Sequence, residues 1–152
     1  VLIDTYAHIL PRTLSQIPLT FLGLFITTSA LLPYKMLTPF FKKYEKWELA
    51  HETIRYNYKT RKKLQMTLQL IELFGKSYLK EIQKLHTPTL VIVGDDIPSI
   101  VEKSFEIYEN KPNAEICIIS DAMDPSNLCA PVEVNKAIAT FVQLEEGIDE
   151  IC

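Results

Sequence analysis

Thr87-Pro-Thr-Leu-Val-Ile-Val-Gly-Asp-Asp96 opens the stretch that decides the fold, and it leads through a helical run to Ala114-Glu-Ile-Cys-Ile-Ile-Ser-Asp-Ala-Met-Asp-Pro-Ser-Asn127. Thr89–Val93 is an unbroken apolar, β-rich run bounded by Pro88 and Gly94, the pattern of a parallel strand covered on both faces. Ser99–Glu109 has amphipathic spacing, with Ile100, Val101, Phe105 and Tyr108 expected inward. Pro112-Asn113 turns the chain into a second buried strand, Glu115–Ile119. Val132–Phe141 then places Val134, Ile138 and Phe141 at helical spacing. A strand–helix–strand unit implies a parallel pair joined by a right-handed crossover.

Outward from this unit, Val1–Ile3 reads as a short buried strand and Asp4–Pro11 as a loop. From Thr13 to Leu85 the pattern is helical, punctuated by Pro18, Pro33 and Pro39. Leu14–Ile17 is a single turn, and Leu19–Leu32 is apolar nearly all round, as a helix buried on most sides would be. Thr38-Pro39 has the chemistry of an N-cap followed by proline at the first helical position. Trp47–Asn57 and Arg61–Leu73 are amphipathic, the latter through Leu64, Leu68 and Ile71, and Ser77–Leu85 sets Leu79, Ile82 and Leu85 on one face. The expected fold class is α/β, a short parallel sheet of about three strands with a large helical insertion. The segments are 1–12 (first strand and entry loop), 13–86 (helical insertion), 87–144 (strand–helix–strand–helix) and 145–152 (acidic tail).

A chain of 152 residues is about one domain and is long enough to bury a core. It opens on strand-like Val1-Leu-Ile-Asp4 rather than methionine, which reads as a piece of a longer chain. Cys117, Cys129 and Cys152 are an odd set without paired spacing, so a disulfide framework is not expected and a reducing, cytoplasmic setting is. Cys117 reads as a small buried hydrophobe. Residues 1–86 carry 13 Lys/Arg and 6 Asp/Glu, whereas residues 87–152 carry 3 Lys and 13 Asp/Glu. The basic clusters, Lys42-Lys43…Lys46 and Arg61-Lys62-Lys63, read as solvated helix faces. The aromatics among them, Tyr44, Trp47, Tyr56 and Tyr58, fall at helical spacing, where packing under snorkelling lysines is expected rather than nucleic-acid stacking. The longest apolar run, Ile17–Leu32, is short of the roughly 20 residues that cross a bilayer, so no membrane span is expected.

No Gly-x-Ser-x-Gly elbow occurs, so none of the serines has the tight turn that exposes a nucleophile. The four glycines, Gly23, Gly75, Gly94 and Gly147, form no phosphate loop. His8, His51 and His86 stand alone, and no Cys/His spacing suggests zinc, so no metal and no cofactor is expected. Asp95 and Asp96 follow the strand-ending Gly94, where they can shape the turn while Asp96 or Ser99 caps the next helix. Asp124-Pro125-Ser126 reads as a helix-entry turn.

Pro88-Thr-Leu-Val-Ile-Val-Gly94 followed by acid, together with Pro125-Ser-Asn127 and Pro131-Val-Glu-Val-Asn-Lys-Ala-Ile138, resembles the C-terminal signature of the α/β-hydrolases. In that family a helical cap follows the sixth strand, and strands seven and eight come after it. The resemblance implies that the chain is the cap and last third of an esterase- or lipase-like protein acting on small apolar esters. It makes Asp96 the candidate triad acid, ahead of Asp95, and sets Asp124 where the triad histidine belongs. An ionised aspartate only accepts hydrogen bonds, so an Asp96–Asp124 pair would not run Ser-His-Asp chemistry. A carboxylate pair could instead bind a hard cation or mark lost function. The chain alone is therefore expected not to be catalytic. The alternative is a non-catalytic binding or interaction module. Its cap groove would take an apolar small molecule, and its exposed sheet edge near Val1–Ile3 would take a partner chain or a second copy.

Overall fold

The computed structural model describes residues 1–5, 32, 34–60, 62, 64–65, 68 and 77–146. In chain order the elements are β1 (Leu2–Ile3), α1 (Thr38–Phe41), α2 (Glu48–Thr60), α3 (Leu79–Ile82), β2 (Thr89–Gly94), α4 (Pro98–Asn110), β3 (Ala114–Ile119), α5 (Ser126–Cys129) and α6 (Pro131–Glu146). Short 3-10 turns, Tyr34–Leu37 and Lys42–Tyr44, flank α1. By internal contacts the chain divides into two units, Val1–Ala7 with Tyr78–Cys152, and His8–Ser77.

The first unit holds a three-stranded parallel sheet in the order β1-β2-β3. Leu2 pairs with Val91 and Ile3 with Ile92, while Val91 and Ile92 pair on the other side with Ile116 and Cys117. All six β2 residues are buried, as its continuous apolar run requires of a central strand. Alternation sends Leu90 and Ile92 to one face, against Val134 and Phe141 of α6, and Val91 to the other, against Leu79 of α3 and Ile107 of α4. The class is thus α/β, a small parallel sheet with helices.

Several sequence expectations move. β3 is an edge strand rather than a buried one, so Glu115 and Ile118 are exposed. Cys117 is accordingly half-buried, as is Cys129, and neither is joined in a disulfide. The buried stripe of α4 is Ile100, Lys103, Ser104 and Ile107, not Val101, Phe105 and Tyr108, and Tyr108 is exposed. That stripe keeps perfect three-and-four spacing, but two of its members are polar, which hid it from a hydropathy reading. Ser104 meets its buried polarity by donating from Oγ to the carbonyl of Thr5 at 3.4 Å. α3 is only four residues long and Leu85 is exposed, because the chain must extend before Pro88. α2 runs to Thr60, past the expected end at Asn57. α6 continues past Phe141 to Glu146, and Val132 at its start is exposed.

In the second unit the core is Leu37, Phe41, Tyr44, Trp47 and Ala50. Phe41 meets Tyr58 edge-on at 4.9 Å, and Lys46 Nζ sits 4.0 Å over the Trp47 ring. Tyr44 and Trp47 therefore pack as their helical spacing suggests, with Lys46 over the Trp47 ring, whereas Tyr56 is exposed. Leu64 and Leu68 are helical and exposed, and Ile71 lies outside the described residues. So do Leu14–Ile17, residues 19–31 of the apolar run, His8 and residues 147–152 of the acidic tail. No helix among the described residues is long and apolar enough to cross a membrane.

Candidate functional site at the carboxyl ends of the strands

Each strand of the sheet ends in aspartate. Asp4 follows β1, Asp95 and Asp96 follow β2, and Asp121 and Asp124 lie in the loop after β3. Parallel register brings these three ends to one edge, the edge at which open α/β sheets bind ligands.

Asp4 is the centre of this edge. Its φ of 46° is left-handed, a conformation that aspartate tolerates better than most residues, and it turns the chain sharply out of β1. Its own N–H donates to the Ile92 carbonyl at 2.8 Å. Its carboxylate then accepts twice: Oδ1 from the Gly94 N–H at 3.2 Å and Oδ2 from the Ser126 N–H. One side chain thus ties the end of β1 to the end of β2 and to the start of α5, beyond β3.

The loop after β3 is pressed onto the end of β2. Asp95 N–H donates to the Ile119 carbonyl at 3.1 Å and Asp96 N–H to the Ala122 carbonyl at 3.2 Å. A Cβ at Gly94 would lie 2.2 Å from the Ala122 carbonyl oxygen, so only glycine fits. Asp121, at φ 55°, turns the loop, and the Asp124-Pro125 peptide is cis. Ser126 opens α5 fully buried, and its Oγ has no hydrogen-bond partner.

Asp124 lies between these fastenings. Burial, and secondarily the charge of Asp4, push its pKa up from 3.8 to about 7. The neighbouring charge that acts on Asp124 is that of Asp4. Asp96 and Asp95 are both exposed. The Asp4 carboxylate is held by two N–H donors, and the Asp124 carboxyl beside this edge titrates near neutral pH. Among the described residues no group of three or more His, Cys, Asp or Glu side chains is placed to hold a metal ion.

Of the three histidines, His8 lies outside the described residues. His51 lies on α2 in the other unit, and His86 is exposed, its carbonyl accepting from Asn113 Nδ2 at 3.3 Å. Asp4 and Ser126 are the site residues that the sequence reading passed over. Their signal was positional: an acid directly after a short strand, and a serine two residues after an acid that follows another.

Comparison with protein-family models, curated proteins and solved structures finds no match to this chain.

Proposed function

We propose that this chain is the cap-and-last-strands portion of an α/β-hydrolase-like protein, and that it does not catalyse ester hydrolysis by itself. Two features support the scaffold. The strands run parallel in sequence order, and a helix-rich segment separates the first from the second, as between the sixth and seventh strands of that family.

The observation that carries the non-catalytic reading is the commitment of Asp4. Its two carboxylate oxygens are occupied by the Gly94 and Ser126 N–H groups, so it fastens backbone instead of orienting a base. Asp124 stands where a histidine would serve, and the buried Ser126 Oγ has no base bonded to it. A proton-transfer relay needs nucleophile, base and orienting acid in hydrogen-bond succession, and these side chains do not form one.

Steady-state and burst assays of the 152-residue chain with p-nitrophenyl butyrate test this. The expected p-nitrophenol release equals that of Asp124→Ala and shows no burst. A burst stoichiometric with protein, lost in Asp124→Ala, would overturn the reading.

A further inference from the structure

Lys111, one residue past the end of α4, is 6% exposed. Its Nζ donates to the carbonyls of Thr87 at 2.6 Å, Leu85 at 3.0 Å and Pro112 at 3.3 Å. Among the described residues no carboxylate pairs with it. Three neutral carbonyls replace the ammonium's water but leave its unit charge uncompensated, and buried cations ordinarily have a counter-ion.

The same side chain lines a cavity of about 300 Å³, whose other walls include Leu2, Tyr78, Ile82, Leu85 and Ile107. The cavity adjoins the core cluster of Leu79, Val91 and Ile107 on the α4 side of the sheet. Its described walls also include Val1, Thr5 and Thr89, and a largely apolar chamber with one charged side chain is the ordinary form of a small-ligand site, in which the walls supply affinity and the charge fixes orientation. The volume corresponds to that of about ten liquid waters.

We propose that this cavity binds a medium-chain aliphatic carboxylate, with its alkyl chain against Leu2, Ile82 and Ile107 and its carboxylate on Lys111. The bond to Pro112 is the longest of the three, and a carboxylate oxygen takes its place. A lone ammonium matches a monoanion. A phosphate, with more charge and more acceptor oxygens, calls for further cationic donors, and among the described residues of the lining there is no other lysine or arginine. The site does not involve the Asp4–Asp124 edge, so it stands or falls independently of the hydrolase-like reading.

Isothermal titration calorimetry of the whole chain with octanoate, and with octanol as the uncharged probe, tests the proposal. Octanoate is expected to bind saturably at one site, and octanol about tenfold more weakly or worse, a difference of about 1.4 kcal/mol. Ile82→Trp fills the cavity without touching the ammonium and should abolish octanoate binding. Lys111→Met should bring octanoate down to the octanol level. Absence of saturable octanoate binding, equal affinity for the two probes, or full octanoate binding by Ile82→Trp would each overturn the proposal. Should Lys111→Met fail to fold, as judged by circular dichroism, the two-probe comparison and Ile82→Trp still decide it.

Discussion

Replacing Asp124 by asparagine removes one ionisable proton from the strand-end edge while keeping the size and shape of the side chain. In the native protein the Asp124 carboxyl titrates near 7 instead of 3.8, chiefly through burial and then through the charge of Asp4. A raised carboxyl pKa means that the folded state holds the proton more tightly than the unfolded chain. The stability tied to that proton is fully present below about pH 4. It declines as pH rises and is lost above about pH 7. At about 1.4 kcal/mol per pH unit, the whole loss is on the order of 4 kcal/mol. That is a large share of the roughly 5–15 kcal/mol that holds a domain together. Asparagine does not ionise, so Asp124→Asn escapes the loss. Urea unfolding of both proteins at pH 4.5, 6.0, 7.5 and 8.5, followed by far-ultraviolet circular dichroism, isolates the effect, because every other titrating group is common to both. The variant's advantage should grow by about 3 kcal/mol between the lowest pH and 7.5, then level off. A difference that stays flat with pH would refute both the burial of Asp124 and its opposition to Asp4.

Two further substitutions probe the same edge. Asp4→Ala deprives the Gly94 and Ser126 N–H groups of their shared acceptor and should cost about 3 kcal/mol or more by urea unfolding; a cost below about 0.5 kcal/mol, within the ordinary range for surface changes, would argue that water serves as well. Asp4→Asn keeps an acceptor oxygen but removes the charge, so the Asp124 carbon-13 carboxyl resonance should titrate lower than in the native protein yet still above an ordinary aspartate, since burial is the larger cause. Gly94→Ala sets a methyl group 2.2 Å from the Ala122 oxygen and should cost about 3 kcal/mol or more, the upper end of overpacking penalties, with full stability in the variant counting against the close approach of the two loops.

The sheet was legible in the sequence wherever burial was complete. Thr89–Gly94, walled on both faces and both edges, has the uninterrupted apolar run that such a position demands, and the structure places it at the centre. Legibility declined where a residue's neighbours come from far along the chain. Glu115–Ile119 carries nearly as apolar a run as β2 yet stands at an edge, because what lies beside a strand is not written in the strand. Lys103 and Ser104 broke the apolar reading of α4, since a lysine stem and a bonded hydroxyl can fill buried positions that hydropathy assigns to solvent. The strand-end edge was half legible. Asp96 and Asp124 could be singled out by their place after strands, but Asp4 precedes Ser126 by 122 residues and meets it only through the parallel register of β1 with β2.

The pairing of Asp4 with Asp124 bears on whether this edge is a relic or a working part. Asp4 fastens Gly94 and Ser126 with a charge that two N–H donors stabilise, and nothing in that fastening requires an acid at position 124. Asp124, in contrast, destabilises the fold above pH 7, by on the order of 4 kcal/mol when fully ionised. Carboxyls with raised pKa concentrate at functional sites, and structural networks raise them too; Asp124 is half-buried. The proton is also well placed for use: a group titrating near 7 exchanges it readily at neutral pH, which a surface aspartate does not. Below pH 7 the neutral acid can donate a hydrogen bond beside Ser126; above it, a second negative charge weakens the strand-end fastening.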